Sequence, residues 1–384
     1  MKNITLLLFT VCAISLLPGC GIFSSDNENQ PAELVKFDEE VDLRRLWRIN
    51  VGNGQGEKFN RLTPALQGDI LYAASNNGTV VAVNSETGRR IWRVKLDYII
   101  TGGVGVGGGM VLLGSENSQV IALNQDNGQV LWEAEVSSEV LSAPATNGAV
   151  VVAQSIDGKL SGLNAETGEQ IWIYESTVPA LSLRGTSSPV ILNNFVIAAM
   201  ANGSVVSVAI DNGTLRWDER IAIPTGRSEI ERLVDIDGEL YINDAGQLVV
   251  LSYQGYLAVI NVTTGETRWR IQESSTVGAS SGFGNIYVSD EGSLVTAYRA
   301  GQDELVWRNE QLKFRQLSSP TSFNNYVAVV DYEGYVHLLS QIDGHFMNRT
   351  RVDSKGGRSR MLSRNNTLFV YGNSGNLVAL RVQQ

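Results

Sequence analysis

Cysteine is almost missing from this chain. Of 384 residues only Cys12 and Cys20 are cysteines, and both lie within the first twenty. Everything beyond residue 20 therefore lacks a thiol, which excludes a cysteine nucleophile, a thiolate metal site and a disulfide there. Histidine is as scarce: His337 and His345 are the only two, in different strands and without a partner motif. No Walker loop, HExxH, GxSxG or EF-hand spacing occurs, and the acidic residues are spread over turns, so catalysis finds little support. Basic residues are outnumbered 30 to 40, and a formal net charge of −10 excludes the basic surface that non-specific nucleic-acid binding needs. Proline is rare as well, eight in all, against 39 glycines and 43% hydrophobic residues. Such a composition fits a large globular β protein, not a disordered or collagen-like chain.

What the chain has is repetition. SNNGTVVAVNSETGRRIW, from Ser75 to Trp92, returns as SIDGKLSGLNAETGEQIW, from Ser155 to Trp172. Each copy reads as a glycine turn, an alternating strand, a Thr-Gly turn and a strand carrying Trp. The hairpin glycine recurs at Gly78, Gly158, Gly203, Gly255, Gly292, Gly334 and Gly375, with Ser118 in the remaining copy. The second mark is Trp47, Trp92, Trp132, Trp172, Trp217, Trp269 and Trp307, with Phe346 in the eighth place. Both series count eight, and they are out of phase at the ends. Trp47 has no hairpin before it, and the copy at Gly375 has no Trp strand after it. A linear stack would leave two unpaired edges, whereas a ring pairs them. The expectation is an all-β, eight-bladed β-propeller of four-stranded antiparallel blades, closed by the N-terminal strand joining the C-terminal blade.

The chain begins with Lys2 and the apolar run ITLLLFTVCAISLL, too short to span a bilayer comfortably and suited to a signal-peptide core. Leu17-Pro18-Gly19-Cys20 follows and resembles a bacterial lipobox, with Pro18 an unusual choice. That resemblance implies residues 1–19 as a lipoprotein signal peptide and lipidation of Cys20. The alternative is an ordinary secretory signal with a chance cysteine. Residues 20–40 read as the lipidated Cys and a flexible polar tether, reaching at most roughly 65–70 Å when stretched. Residues 41–384 read as the propeller. Gly21 stands where an Asp would resemble an inner-membrane retention signal, which points to the outer membrane, on its periplasmic side.

Within the repeats the Trp rings read as filling between blades and not as an aromatic cage. GGVGVGGG, residues 102–109, has no helix after it, so it reads as a Gly-rich inner strand and not a dinucleotide loop. Two intervals break the forty-residue beat: 45 residues from Gly158 to Gly203 and 52 from Gly203 to Gly255. Both excesses follow a Trp strand, in connections that emerge on one face, and they belong to consecutive blades. They should be neighbours. The first holds VPALSLRGTSSP (Val178 to Pro189) and the second IAIPTGRSEIERLVDID (Ile221 to Asp237). Apolar anchors beside both charge signs suit a protein-binding surface. The alternative is that Leu181 and Leu183 simply seat the loop while Arg184 pairs with a nearby carboxylate.

The repeated [VL]xALNxxTGxxxW pattern is similar to the repeats of quinoprotein dehydrogenases. The lipobox, eight such blades, LSLRG and EIERLVDID together resemble the BamB lipoproteins of the outer-membrane β-barrel assembly machinery. That resemblance covers nearly the whole chain after the signal. It implies a non-enzymatic periplasmic scaffold that binds the POTRA domains of BamA, with no cofactor and no metal, anchored in the outer membrane. The partner-binding positions it implies are Leu181, Leu183, Arg184, Asp235 and Asp237. GELYINDAG after Asp237 departs from the family pattern, carrying no Pro and running longer. Exposed blade edges would also suit an incoming strand of a nascent outer-membrane β-barrel protein.

Two rival readings stay open on these residues. A quinone-dependent dehydrogenase should carry a vicinal Cys pair over its cofactor, and the chain has none. A propeller binding glycan or peptidoglycan would use the central channel and not the two insertions.

Overall fold

Eight four-stranded antiparallel sheets make up the molecule, each built from four strands consecutive in sequence except the last. The computed structural model describes residues 29–179, 181–228 and 230–383. The signal segment and Cys20 lie outside the described residues. Blades 1 to 7 span residues 65–95, 100–135, 145–175, 190–220, 241–272, 280–309 and 321–351. Blade 8 takes three strands from residues 362–383 and its outermost strand, Asp42–Asn50, from the other end of the chain. That strand pairs from Asp42↔Gln383 to Asn50↔Asn376, so the ring is closed by a long antiparallel ladder, as the unmatched half-repeats require.

The second and third strands of each blade are apolar on both faces because each blade is sandwiched between two others. Leu71, Tyr72, Val81 and Val83 of blade 1 and Val151, Val152, Leu160 and Leu163 of blade 3 are all buried to 2% exposure or less. The outermost strand carries the Trp, and a one-residue bulge beside it recurs in every one of the first seven blades, as between Ala82 and Val83. The bulge turns the extra residue outward, which is why Ile91, Leu131 and Ile171 are exposed, while the adjacent Trp is aimed at the next blade.

There the ring meets two fixed features. The Trp132 indole N–H donates to the Ala165 carbonyl at 2.8 Å, and Trp47, Trp92, Trp172 and Trp307 make the equivalent bond to Ser85, Gln125, Ile210 and Gln341. Its face lies on the glycine of the next blade's Thr-Gly turn. Gly168 sits at φ +76°, and a Cβ there would come within 2.8 Å of the Trp132 ring. One residue type thus meets a turn requirement and a packing requirement together. The hairpin series is less uniform than the letters suggest. In blades 5 and 6 the positive φ falls on Gln254 and Ser293, next to Gly255 and Gly292.

Residues 102–107 lie in an innermost strand, Ile100–Gly107, as expected. A Cβ on Gly102 would meet the Val140 and Ser142 carbonyls at 2.7 and 2.5 Å, so the missing side chains let neighbouring inner strands approach closely.

The N-terminal stretch differs from expectation. The sequence pattern predicts a tether as far as Glu40, yet from Pro31 the chain belongs to the same compact unit as the propeller. The Phe37 ring stacks on Phe346 with centroids 5.2 Å apart. Arg349 donates to the Val35 carbonyl at 2.8 Å and Arg315 to the Ala32 carbonyl at 2.9 Å. The cause is the ring closure itself. The closing strand starts at Asp42, so blade 8 has no Thr-Gly turn to cover the eighth ring, and Phe37 covers it instead. Behind the clamp, Asp331 accepts from Arg315 at 2.8 Å and lies 3.0 Å from His337 Nε2, both acid and imidazole fully buried. Burial pushes the His337 imidazole down, while the hydrogen bond from His337 and the charge beside it hold Asp331 below its usual range against burial.

Candidate functional site

All connections from an outermost strand to the next innermost strand open on one face, and the two insertions meet there. The first runs between blades 3 and 4, the second between blades 4 and 5. Ser187 Oγ accepts the Leu240 backbone N–H at 3.2 Å, and Asp235 Oδ2 accepts that of Leu183 at 2.9 Å. The LSLRG loop is therefore pinned from below by the second insertion.

Leu181 is 42% exposed and Leu183 half-buried. Arg184 reaches across two further connections. Its guanidinium donates to Glu139 at 2.6 Å, to Asn60 Oδ1 at 3.1 Å and to the Phe59 carbonyl at 3.4 Å, while keeping a third of its side chain in solvent. Burial pushes the Glu139 carboxyl up, and the Arg184 charge draws it back. Both sequence alternatives are thus realised in one residue: Arg184 is paired, and it is still presented.

Asp235 and Asp237 are placed differently from the other three. At 2% and 8% exposure they lie under the loop and not on the surface. The second insertion is anchored by burial of Leu233, Val234 and Ile236 and by the Tyr253 N–H donating to the Asp235 carbonyl at 2.8 Å. This leaves the two carboxylates facing inward. Burial, with the neighbouring Asp237 acting the same way, pushes Asp235 up to about 8, against the pull of the Ile236 and Leu183 N–H groups. Burial raises Asp237 to about 6, and the Arg61 charge opposes it. Gly185 lies directly over Asp237, where a Cβ would come within 2.5 Å of the carboxyl carbon. The glycine of LSLRG is needed because the second insertion sits beneath it.

Apolar side chains are exposed beside the loop and along the second insertion. Val178 and Ile156 are each 38% exposed, and the second insertion contributes Ile223 and Ile230 at 59% and 70%. A cavity of about 210 Å³ between the loop and blades 3 and 4 is lined by Ile156, Leu183, Arg184, Ala199 and Ala201. It can take one or two side chains of a partner. Glu139, Asn60 and Phe59 were not singled out from the sequence. The only signal for them is position, since they occupy the same kind of connection in other blades. A second cavity of about 310 Å³ at the channel mouth is lined by Arg61, Thr63, Glu239, Arg358 and Arg360, with Arg360 paired to Glu239 at 3.0 Å.

The sequence model of the family described as outer membrane protein assembly factor BamB matches residues 30–100 and 76–299. A Pseudomonas aeruginosa protein named outer membrane protein assembly factor BamB is 52% identical over 365 residues, 95% of this chain and 96% of its own. The crystal structure of BamB from Moraxella catarrhalis superposes with a TM-score of 0.80 at 28% identity, covering 88% of this chain and all of that one. A quinohemoprotein alcohol dehydrogenase from Comamonas testosteroni reaches a TM-score of 0.69 at 14% identity, covering 88% of this chain and 76% of that one, and shares the fold alone.

Proposed function

The chain belongs to the BamB family of outer membrane protein assembly factors, and from that premise we propose that it is a non-enzymatic periplasmic scaffold which binds the POTRA domains of BamA through the LSLRG face. The observation that carries the reading is the junction of the two insertions. Their joint surface puts Leu181, Arg184, Ile223 and Ile230 in solvent over a hydrogen-bonded base. Exposed aliphatics on the same pair of insertions as a partly presented arginine suit a binding hot spot. Leu181, Leu183 and Arg184 are the contacting groups in this reading. Asp235 and Asp237 serve it from below, by holding the loop in shape.

The same reading takes Cys20 as the lipidated residue and the outer membrane as its anchor. With residues from Pro31 docked on the propeller, ten residues separate Cys20 from that stretch, so the distance from Cys20 to Pro31 is at most roughly 36–40 Å. A photo-crosslinking residue at Leu181 tests the face directly. Crosslinks to BamA periplasmic domains are expected from Leu181, and none from Ile91 on an outer blade strand; the reverse pattern would move the surface elsewhere.

A further inference from the structure

Across the same face, over blades 6 to 8, lies a groove of about 470 Å³ whose floor and walls include Phe59, Arg358, Lys355, Tyr332, Val277 and Leu317. Arg358 is its unusual member. It is half-buried, its guanidinium carbon lies 4.5 Å over the Phe59 ring, and among the described residues it has no hydrogen bond and no ion pair. Arg61 lies over the same ring at 5.3 Å and adds a second positive charge, although its own N–H groups are used on the Thr276 carbonyl and hydroxyl. Burial and the Arg61 charge both weigh against the charged form of Arg358. A guanidinium has five N–H donors, and leaving them partly out of water without an acceptor is costly. Stacking on a ring satisfies its face and leaves its edge free.

The acids near the groove do not supply that acceptor. Asp290 accepts the Leu294 N–H at 2.7 Å, and Glu291 accepts the Ser274 hydroxyl. Lys355 is exposed and forms no ion pair among the described residues. The unmet need is for negative charge beside aromatic surface: Phe59 is 53% exposed and Tyr332 39%.

We propose that this groove is a binding site for an acidic polypeptide segment, whose carboxylate is taken by the free edge of Arg358 while flanking apolar side chains lie on Phe59 and Tyr332. Bidentate pairing of carboxylate with a planar guanidinium is the strong form of this contact. The groove volume and its two rings favour a peptide over a small oxyanion, which would use only the charge. The groove meets the Arg184 surface at Phe59, whose ring lines the groove and whose carbonyl accepts from Arg184, but the proposal does not rest on that surface.

The test titrates isotope-labelled protein with acetyl-Phe-Glu-Phe-amide, with its Gln counterpart and with inorganic phosphate, reading the arginine Nε–Hε resonances by NMR. Arg358→Gln assigns the resonance, with circular dichroism confirming that the variant is folded. At roughly 10 mM a site with Kd near 1 mM is about nine-tenths filled. The Glu peptide should shift the Arg358 resonance at least tenfold more tightly than the Gln peptide. Arg358→Gln should lose that preference, and Arg93→Gln, an exposed arginine on an outer blade strand, should keep it. No shift at that concentration, equal shifts by both peptides, or phosphate matching the Glu peptide would each overturn the proposal, the last by showing a site for any oxyanion.

Discussion

The Asp235 carboxylate holds the Leu183 backbone N–H at 2.9 Å, joining the two inserted inter-blade connections through a group that solvent barely reaches. The same carboxylate accepts the Ile236 N–H at 2.9 Å. Replacing Asp235 with Ala leaves two buried donors without an acceptor, at a cost of about 1–3 kcal/mol. Denaturant unfolding should show that loss, and partner affinity should fall with it although Asp235 is buried under the loop. Unchanged stability with lost affinity would instead make Asp235 a contact residue.

The two buried aspartates also set a pH dependence. Their folded values lie near 8 and 6, against 3.8 for an ordinary Asp. Folded chains therefore hold protons that unfolded chains release, and stability from this pair is present below about pH 4 and lost as pH rises towards 8. Asp235→Asn cannot release that proton. Its melting temperature should gain on the wild type steadily from about pH 5 to about pH 8. A constant difference across that range would contradict the raised values.

Trp132 and Trp269 occupy equivalent positions in blades 2 and 5, yet only Trp132 has an acceptor. Trp132 donates to the Ala165 carbonyl at 2.8 Å, and the Trp269 indole nitrogen is buried without a partner among the described residues. Substitution by Phe should therefore cost about 0.5–1.5 kcal/mol more at Trp132 than at Trp269. Equal losses in urea unfolding would mean that ring packing alone carries these positions.

Phe37 is the cover of the ring's one irregular junction, stacked on Phe346 with the Arg349 guanidinium 5.0 Å over its own face. Phe37→Ala should cost about 1–2 kcal/mol from the lost aromatic pair and buried area. Proteolysis should then begin within residues 31–40. A variant as stable and as protease-resistant as wild type would show that this segment adds nothing to the propeller.

How much of this was legible in the letters depends on whether a feature is periodic. The blade count, the closure by Asp42–Asn50, the inter-blade role of the Trp rings and the adjacency of the insertions all follow from a beat and its interruptions. Features outside the beat did not show. Phe37 sits in an acidic, non-alternating stretch, and its docking depends on a gap that exists only once the ring is closed. Asp235 and Asp237 look like surface acids in sequence; what buries them is the need of Leu183 for an acceptor and the lack of a side chain on Gly185. The shift of positive φ to Gln254 and Ser293 is a local backbone choice that a Gly next door conceals. Glu139 is an unremarkable loop acid until Arg184 reaches it from the next connection.

The central claim turns on Arg184. Affinity of the protein for BamA periplasmic domains should be measured by titration calorimetry for wild type and for Arg184→Ala, each confirmed folded by circular dichroism. A hot-spot arginine predicts a loss of about 2 kcal/mol, some thirtyfold in Kd, and a larger loss for Arg184→Glu. Wild-type affinity in both folded variants would contradict the account and remove the binding surface from the LSLRG face.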